Sequence, residues 1–488
     1  MLNSINSFNS VSYNSQVGSV GTENSGAVQA KGVEINYNPQ DELVMDPQVI
    51  SMPSIHAGKG TLEGDNVQFV RKEQLEPNKD GQYVYTPGTR EFVSSVTMAT
   101  VQKTIDAMSE KFGKIEWAFG GDKIGLASDA GVDFNAYYSR NDASLNFFHG
   151  LDPVTNQTVF SGSSGEVVSH EVGHAILDAQ RPGYLTTWQA DTNGFHEAFG
   201  DLTGLFMATQ SDEVCAMAAK ETGGDLHKPN CLAASGELLG RAINNSYGKN
   251  VTGGDYVRNY INDFKWQAPR TVPRNPSGTD PLTTEMHSWS RIFTGAQYDV
   301  MAGIVEKKMA DGMDAAAAIK AAGNDSMTLL AEAVKMAPQR DVTYRDLALL
   351  MLKADANNGG EYHDIVLNTM MDRNILFEGD DTPNDMSMAS MAPSREMTIT
   401  LNGPEFGKFA GAEVTGTVPG GFNALDSNPA DGLAQDMKQL IQNGCILYTE
   451  PNQTVEKKDL FDKDGHPYIG VVRWTDGKMV IERNMMIG

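Results

Sequence analysis

The chain reads as an α+β protein with a small mixed tail, and three features of its 488 residues predict this. Between about 56 and 160, short apolar runs alternate with Gly, Asn and Asp, as half-buried strands and their turns do. From 163 to about 378 the apolar spacing lengthens to the period of helices. Beyond a polar break at 379–397, two Asp-Gly pairs divide apolar runs, the pattern of hairpin turns.

Residues 1–25 are rich in Ser and Asn, and such a segment buries too little surface to offset its ordering entropy. The expected units are therefore a disordered start (1–55), a β-rich lobe ending in a first helix (56–180), a helical lobe (181–378), a linker (379–397) and a tail (398–488). Strands are expected around Tyr83 to Tyr85, Phe92 to Val96, Phe134 to Tyr138 and Leu145 to Phe148, with a helix near 97–112. Ser163-Ser164-Gly165-Glu166 has the form of a capping box and opens the first long helix, and Thr343-Tyr344-Arg345-Asp346 signals another start. The proline-rich stretch 267–281 reads as a loop. Asp464-Gly465 and Asp476-Gly477 mark the tail as a β-meander.

With 63 acidic against 38 basic residues the net charge is −25, which disfavours nucleic acid and anionic membranes as partners. No apolar stretch is long enough to span a bilayer. Three cysteines make no disulfide framework and suit a reducing compartment. The first thirty residues hold no Lys, no Arg and no apolar core of a signal peptide. The expected location is the cytoplasm as synthesised, with export by a signal-independent route as the alternative.

Function concentrates in His170-Glu171-Val172-Gly173-His174. On a helix His174 falls only ~40° from His170, so both imidazoles leave one face and can grip one ion. Glu171 falls ~100° away, beside the ligands, where it can act as a general base. Asp178 shares this polar wedge, while Val168, Val172, Ala175, Ile176 and Ala179 form a separate apolar stripe. Glu197 and Asp201 are again four apart, in a run whose Phe195, Ala198, Phe199, Leu202 and Phe206 would be buried. Glu197 is the expected third ligand, and Asp201 the acceptor of a ligand histidine's second N–H. Two His, one Glu and an open fourth position are the donor set of catalytic Zn²⁺, one per chain. His56, His149, His227, His363 and His466 have no second ligand at metal spacing and read as surface or core residues.

These runs resemble the thermolysin-like neutral metallopeptidases of the gluzincin clan. Residues 166–175 look like that family's active-site helix, and His196-Glu197-Ala198-Phe199-Gly200-Asp201 like its third-ligand helix. Asn135-Ala136-Tyr137-Tyr138 resembles the edge strand that pairs with substrate backbone. Tyr184 and His287 match the family's oxyanion donors, and Arg258 its carbonyl-binding arginine. The resemblance spans roughly 80–378 and implies a two-lobe fold with a cleft above the zinc helix. Where the family has an aspartate before its histidine, Leu282 stands, so Asp280 or Glu285 orients His287, or nothing does. Ala208 stands where a calcium-holding acid is expected, which leaves Ca²⁺ open. Only about 80 residues precede the resemblance, too few for the family's folding propeptide.

The resemblance thus implies a zinc endopeptidase acting on peptide or protein through zinc-bound water activated by Glu171. The alternatives are a non-catalytic zinc-bearing scaffold, a gluzincin aminopeptidase and an exported effector protease. No Gly-x-Met-Glu-Asn segment is present to hold a free amine, which weighs against the aminopeptidase. The tail is the expected site for a protein partner.

Overall fold

The computed structural model describes residues 32–248, 252–272, 281–380, 395–418, 429–462 and 465–488. The Ser/Asn-rich start, Asp280, residues 381–394 of the expected linker and Asp464 lie outside them. The described chain is mixed α+β with several sheets.

Regular structure begins earlier than residue 55. Strands β1 (Val33–Tyr37) and β2 (Gln48–Met52) pair antiparallel, Val33 opposite Met52. Ile35, Tyr37, Met52 and Ile55 are buried, and Val33, Met45 and Ile50 pack beside them, so this segment is anchored in the core. β3 (Ile55–Gly58), β4 (Thr61–Gly64) and β5 (Val67–Phe69) follow. Tyr83 makes a single bridge to Ile35 rather than a strand.

Helix α1 (Arg90–Phe112) starts seven residues earlier than expected, and Phe92 to Val96 form its first turns instead of a strand. Thr89 caps it, accepting from the Phe92 amide at 3.2 Å. A short apolar run fits either element, and here the cap and the burial of Phe92, Val93 and Val96 decide for helix.

β6 (Ile124–Ala127), β7 (Ala136–Ser139) and β8 (Ser144–Phe147) join the earlier strands in a seven-stranded sheet, with β7 next to its edge. β9 (His149–Leu151) and β10 (Thr158–Phe160) form a separate hairpin. Then come the helices α2 (Gly165–Gln180), α3 (Ala190–Ala208) and α4 (Asp212–Thr222). α2 is capped by Ser164, not Ser163, and Glu166 turns away from a capping box to accept from the Gly236 amide. The small strands β11 (Ala234–Ser235) and β12 (Arg258–Asn259) flank α5 (Glu237–Tyr247). α6 (Met286–Ala310), α7 (Ala315–Met336), α8 (Tyr344–Asn357) and α9 (His363–Asp372) complete the helical half. The capping box at Thr343 and Asp346 is present as expected.

The tail is not a meander. β13 (Arg395–Thr400), β14 (Glu413–Val418), helix α10 (Pro429–Gln442), β15 (Ile446–Leu447), β16 (Gly470–Thr475) and β17 (Lys478–Arg483) build a mixed sheet of order β13-β14-β17-β16-β15. β14 with β17 and β15 with β16 run parallel, which needs crossovers that no meander contains. Only β16 and β17 form the expected hairpin, with Asp476 and Gly477 both at positive φ in its turn. The last strand, β18 (Met486–Ile487), leaves this sheet and pairs antiparallel with β7 of the first.

The tail is anchored to the rest of the chain at Trp188. Its Nε1 donates to Thr415 O at 2.9 Å, and Gly416 and Gly470 lie against its ring. A Cβ on Gly416 would stand 2.7 Å from the indole, so a larger residue would lift the tail sheet away. Arg483 closes the contact, donating to Leu185 O at 2.7 and 2.9 Å.

Candidate metal centre and peptide cleft

α2 and α3 cross closely because two glycines face each other. A Cβ on Gly173 would stand 3.0 Å from Gly200 Cα and 2.7 Å from Thr203 Oγ1, and one on Gly200 would stand 2.8 Å from the His170 ring. That approach brings His170 and His174 of α2 against Glu197 of α3. Nε2 of His170 lies 3.5 Å, and Nε2 of His174 3.6 Å, from the carboxylate oxygens of Glu197. The two rings meet edge to face with centroids 4.5 Å apart. His174 and Glu197 are fully buried.

The donor set fits a cation. His174 Nε2 and both oxygens of Glu197 are buried without a hydrogen-bond partner, an arrangement that costs several kcal/mol unless something charged satisfies it. Ligand atoms of His170, His174 and Glu197 all lie within 4.8 Å of one another. Two imidazole nitrogens and one carboxylate suit Zn²⁺. Although burial opposes it, His287, His174 and His170 hold the Glu197 carboxyl well below the usual carboxylate range.

Each histidine has a polar group close to the nitrogen on its far side. Nδ1 of His170 lies 3.0 Å from Asp201 Oδ1, the partner expected from the spacing. Nδ1 of His174 lies 3.0 Å from Nδ1 of His196, which sequence reasoning passed over. Burial holds His196 down to about 3, so it is a neutral ring able to accept the His174 N–H. Its place one residue before Glu197 on a fully buried helix was the only signal.

Glu171 lines the cleft, and burial pushes its carboxyl up to about 8 against the pull of His170. Its Oε2 has no partner. Asp178 leaves the expected wedge: it is buried, accepts from Tyr138 Oη at 2.8 Å and pairs with Arg140. It thereby ties α2 to β7 and fixes Glu171 relative to the strand edge.

His287 sits in the first turn of α6 with Nε2 3.4 Å from Glu197 Oε2. Its orienting partner is Glu285, whose Oε1 lies 2.6 Å from Nδ1 while Oε2 caps α6 through the Ser288 amide. Burial disfavours a charged ring, yet Glu197 and Glu285 raise His287 to about 8. Arg258 on β12 points Nη2 at Glu197 (3.9 Å) and Nε at Asp201 (3.6 Å), on the wall of the cleft.

Tyr184 does not reach the cleft. It begins a 3-10 turn (Tyr184–Thr186), its ring packs edge-on to Phe195, and its hydroxyl donates to Pro338 O at 3.0 Å. Ten residues after His174 the chain has already turned into the core, so the expected oxyanion donor is a core residue.

Asn135 and Ala136 stand at the start of β7, and both line a cleft of about 1780 Å³ with His170, Glu171, His287 and Arg258. The Asn135 amide, expected to hold substrate, donates to Gly465 O of the tail at 2.7 Å. His466, read from the sequence as isolated, packs at a tilt against His287 with centroids 4.5 Å apart, and one of its ring nitrogens lies within 4.8 Å of ligand atoms of Glu285 and His287. All three cysteines are free, and no described helix is long and apolar enough to cross a membrane. No model of a known protein family matches the chain, and no curated protein does.

Proposed function

We propose that the chain is a zinc-dependent endopeptidase of the thermolysin-like, two-lobe kind, with peptide extended along β7 above α2. The observation that carries this reading is the set of unpartnered buried atoms on His174, Glu197 and Glu171 beside a large cleft, walled by polar and apolar residues alike, that the start of β7 lines. His170, His174 and Glu197 would hold Zn²⁺, which when bound supplies Lewis-acid polarisation and a nucleophile available near neutral pH.

The remaining work falls to the chain's own groups. Glu171, buried beside the ligands, takes a proton from the attacking water and returns it to the leaving amine. His287, held at Nδ1 by Glu285, presents Nε2 toward the ion's side of the cleft, where negative charge develops on the carbonyl oxygen. Arg258 offers a guanidinium on the same wall for a substrate carbonyl. β7 supplies backbone donors and acceptors that bind an extended peptide with little regard to its side chains.

The test is cleavage of an unstructured peptide library by zinc-loaded protein and by its Glu171→Gln variant, with cut sites read by mass spectrometry. Internal cuts at least a hundredfold slower in the variant, at equal zinc content, are expected. Equal cutting by both removes Glu171 from the chemistry. Trimming from amino ends replaces the endopeptidase with the aminopeptidase.

A further inference from the structure

Residues 135–139 are the edge on which an extended peptide would lie, and in this chain that edge is already taken. β18 pairs antiparallel with β7, Met486 opposite Ser139 and Ile487 opposite Tyr138. The Arg140 amide extends the ladder, donating to Met485 O at 3.0 Å. Met486 and Ile487 are buried in doing so. Followed onward, the strand runs toward the catalytic end of β7 and brings Gly488 to Glu171. A Cβ on Gly488 would stand 2.6 Å from Tyr137 Cα, 2.7 Å from Ala136 O and 3.0 Å from Glu171 Oε2.

A second stretch of the tail covers what the strand leaves. Gly465 O takes the Asn135 amide, the His466 ring lies on His287, and the Phe461 ring lies on Tyr137 with centroids 5.2 Å apart. Asn135, Ala136, Glu171 and His287 are four groups of the peptide reading from three different elements, β7, α2 and α6, and the tail lies against all of them. Random docking of a tail sheet would not select that set.

Resting on the endopeptidase reading, we propose that residues 485–488 are the chain's own occupant of the N-terminal half of the peptide cleft, and that cleavage requires their withdrawal. Strand addition works through the backbone, so a tethered segment competes with any peptide at an effective concentration of about millimolar. The paired stretch is short, two ladder positions and one further amide, so it can be withdrawn without dismantling the tail sheet. Gly488 suits the innermost place because the atoms facing it there include β7 backbone, which cannot give way to a side chain. The covering stretch 461–466 makes the block selective for the catalytic groups rather than for the edge alone.

Two readouts test this. Gly488→Val and a chain ending at residue 484 are compared with the unaltered chain for cleavage of one quenched-fluorescence peptide. Both are expected to cleave at least tenfold faster, with KM lowered more than kcat is raised. Separately, a fluorescein-labelled peptide of residues 483–488 is titrated into zinc-loaded Glu171→Gln protein with and without residues 485–488, where no cleavage is needed. Binding to the shortened chain and not to the complete one is expected. Unchanged rates in both variants, or equal probe binding by both chains, overturns the occupant. Should no form cleave anything, the endopeptidase reading falls and the probe titration still decides whether the strand fills the edge.

Discussion

Glu197 is a carboxylate with no contact with solvent and no hydrogen-bond partner on either oxygen, placed between three imidazoles. Single residues of this kind set what the site can do, and their spacing in the chain says only part of it. His170, Glu171, His174, Glu197 and Asp201 were legible because helical period groups the first three near one face of α2 and the last two on one face of α3. His196 and Glu285 were harder to read, since one lies on a helix buried along its whole length and the other is a cap whose second oxygen happens to reach a histidine. Tyr184 shows the reverse, a tyrosine at nearly the right distance along the chain whose hydroxyl is spent on Pro338 O. Tyr184→Phe is therefore expected to leave the peptide-cleavage rate within twofold and to cost about 1 kcal/mol of stability in urea unfolding. A large loss of rate with normal stability would return Tyr184 to the chemistry.

At the scale of elements, the crossing of α2 and α3 carries the centre. Gly173 and Gly200 remove the side chains that would hold the helices apart, and the hydrogen bond from Tyr138 of β7 to Asp178 of α2 places Glu171 against the strand. Ala is a better helix former than Gly by about 1 kcal/mol. Gly200→Ala nevertheless pushes a methyl into the His170 ring, 2.8 Å away, and is expected to weaken zinc at least tenfold in competition with a chelator. Unaltered affinity would mean that His170 is free to turn and is not a ligand. α1 and the tail teach a related lesson: the run at Phe92 to Val96 became helix because Thr89 caps it, and the supposed meander became a mixed sheet because α10 crosses between its strands.

Across the whole molecule, the tail is bound to the half that holds the candidate metal centre by Trp188, Arg483 and β18, and the centre itself stores unsatisfied polar groups in the core. Any ligand that binds only the folded state adds stability, about 2.7 kcal/mol at a hundred times its Kd. Chelation of zinc is therefore expected to lower the Tm by ~3 °C, and re-addition of zinc to restore it. A Tm indifferent to chelator would show that His170, His174 and Glu197 hold no ion. The occupied edge of β7 bears on the proposal: if β18 holds the peptide site, the unaltered chain is expected to cleave weakly and the shortened one strongly.

By itself the sequence determined that His170 and His174 share one face of a helix, the premise of the proposed metal site, because spacing on a helix is a local property and 3.6 residues per turn turns it into a shared face. It also determined the mixed α+β class, since strand and helix periods are read over a few residues at a time. Only the tertiary structure decided that Glu285 rather than nothing orients His287, that Tyr184 points into the core, and that the last strand lies on the peptide edge. Those outcomes join residues up to some 350 positions apart in the chain, as Ser139 and Met486 are, and backbone pairing of that kind leaves no pattern in either partner. β18 is two residues long, with nothing in Met486-Ile487 to say which of the open strand edges it would choose.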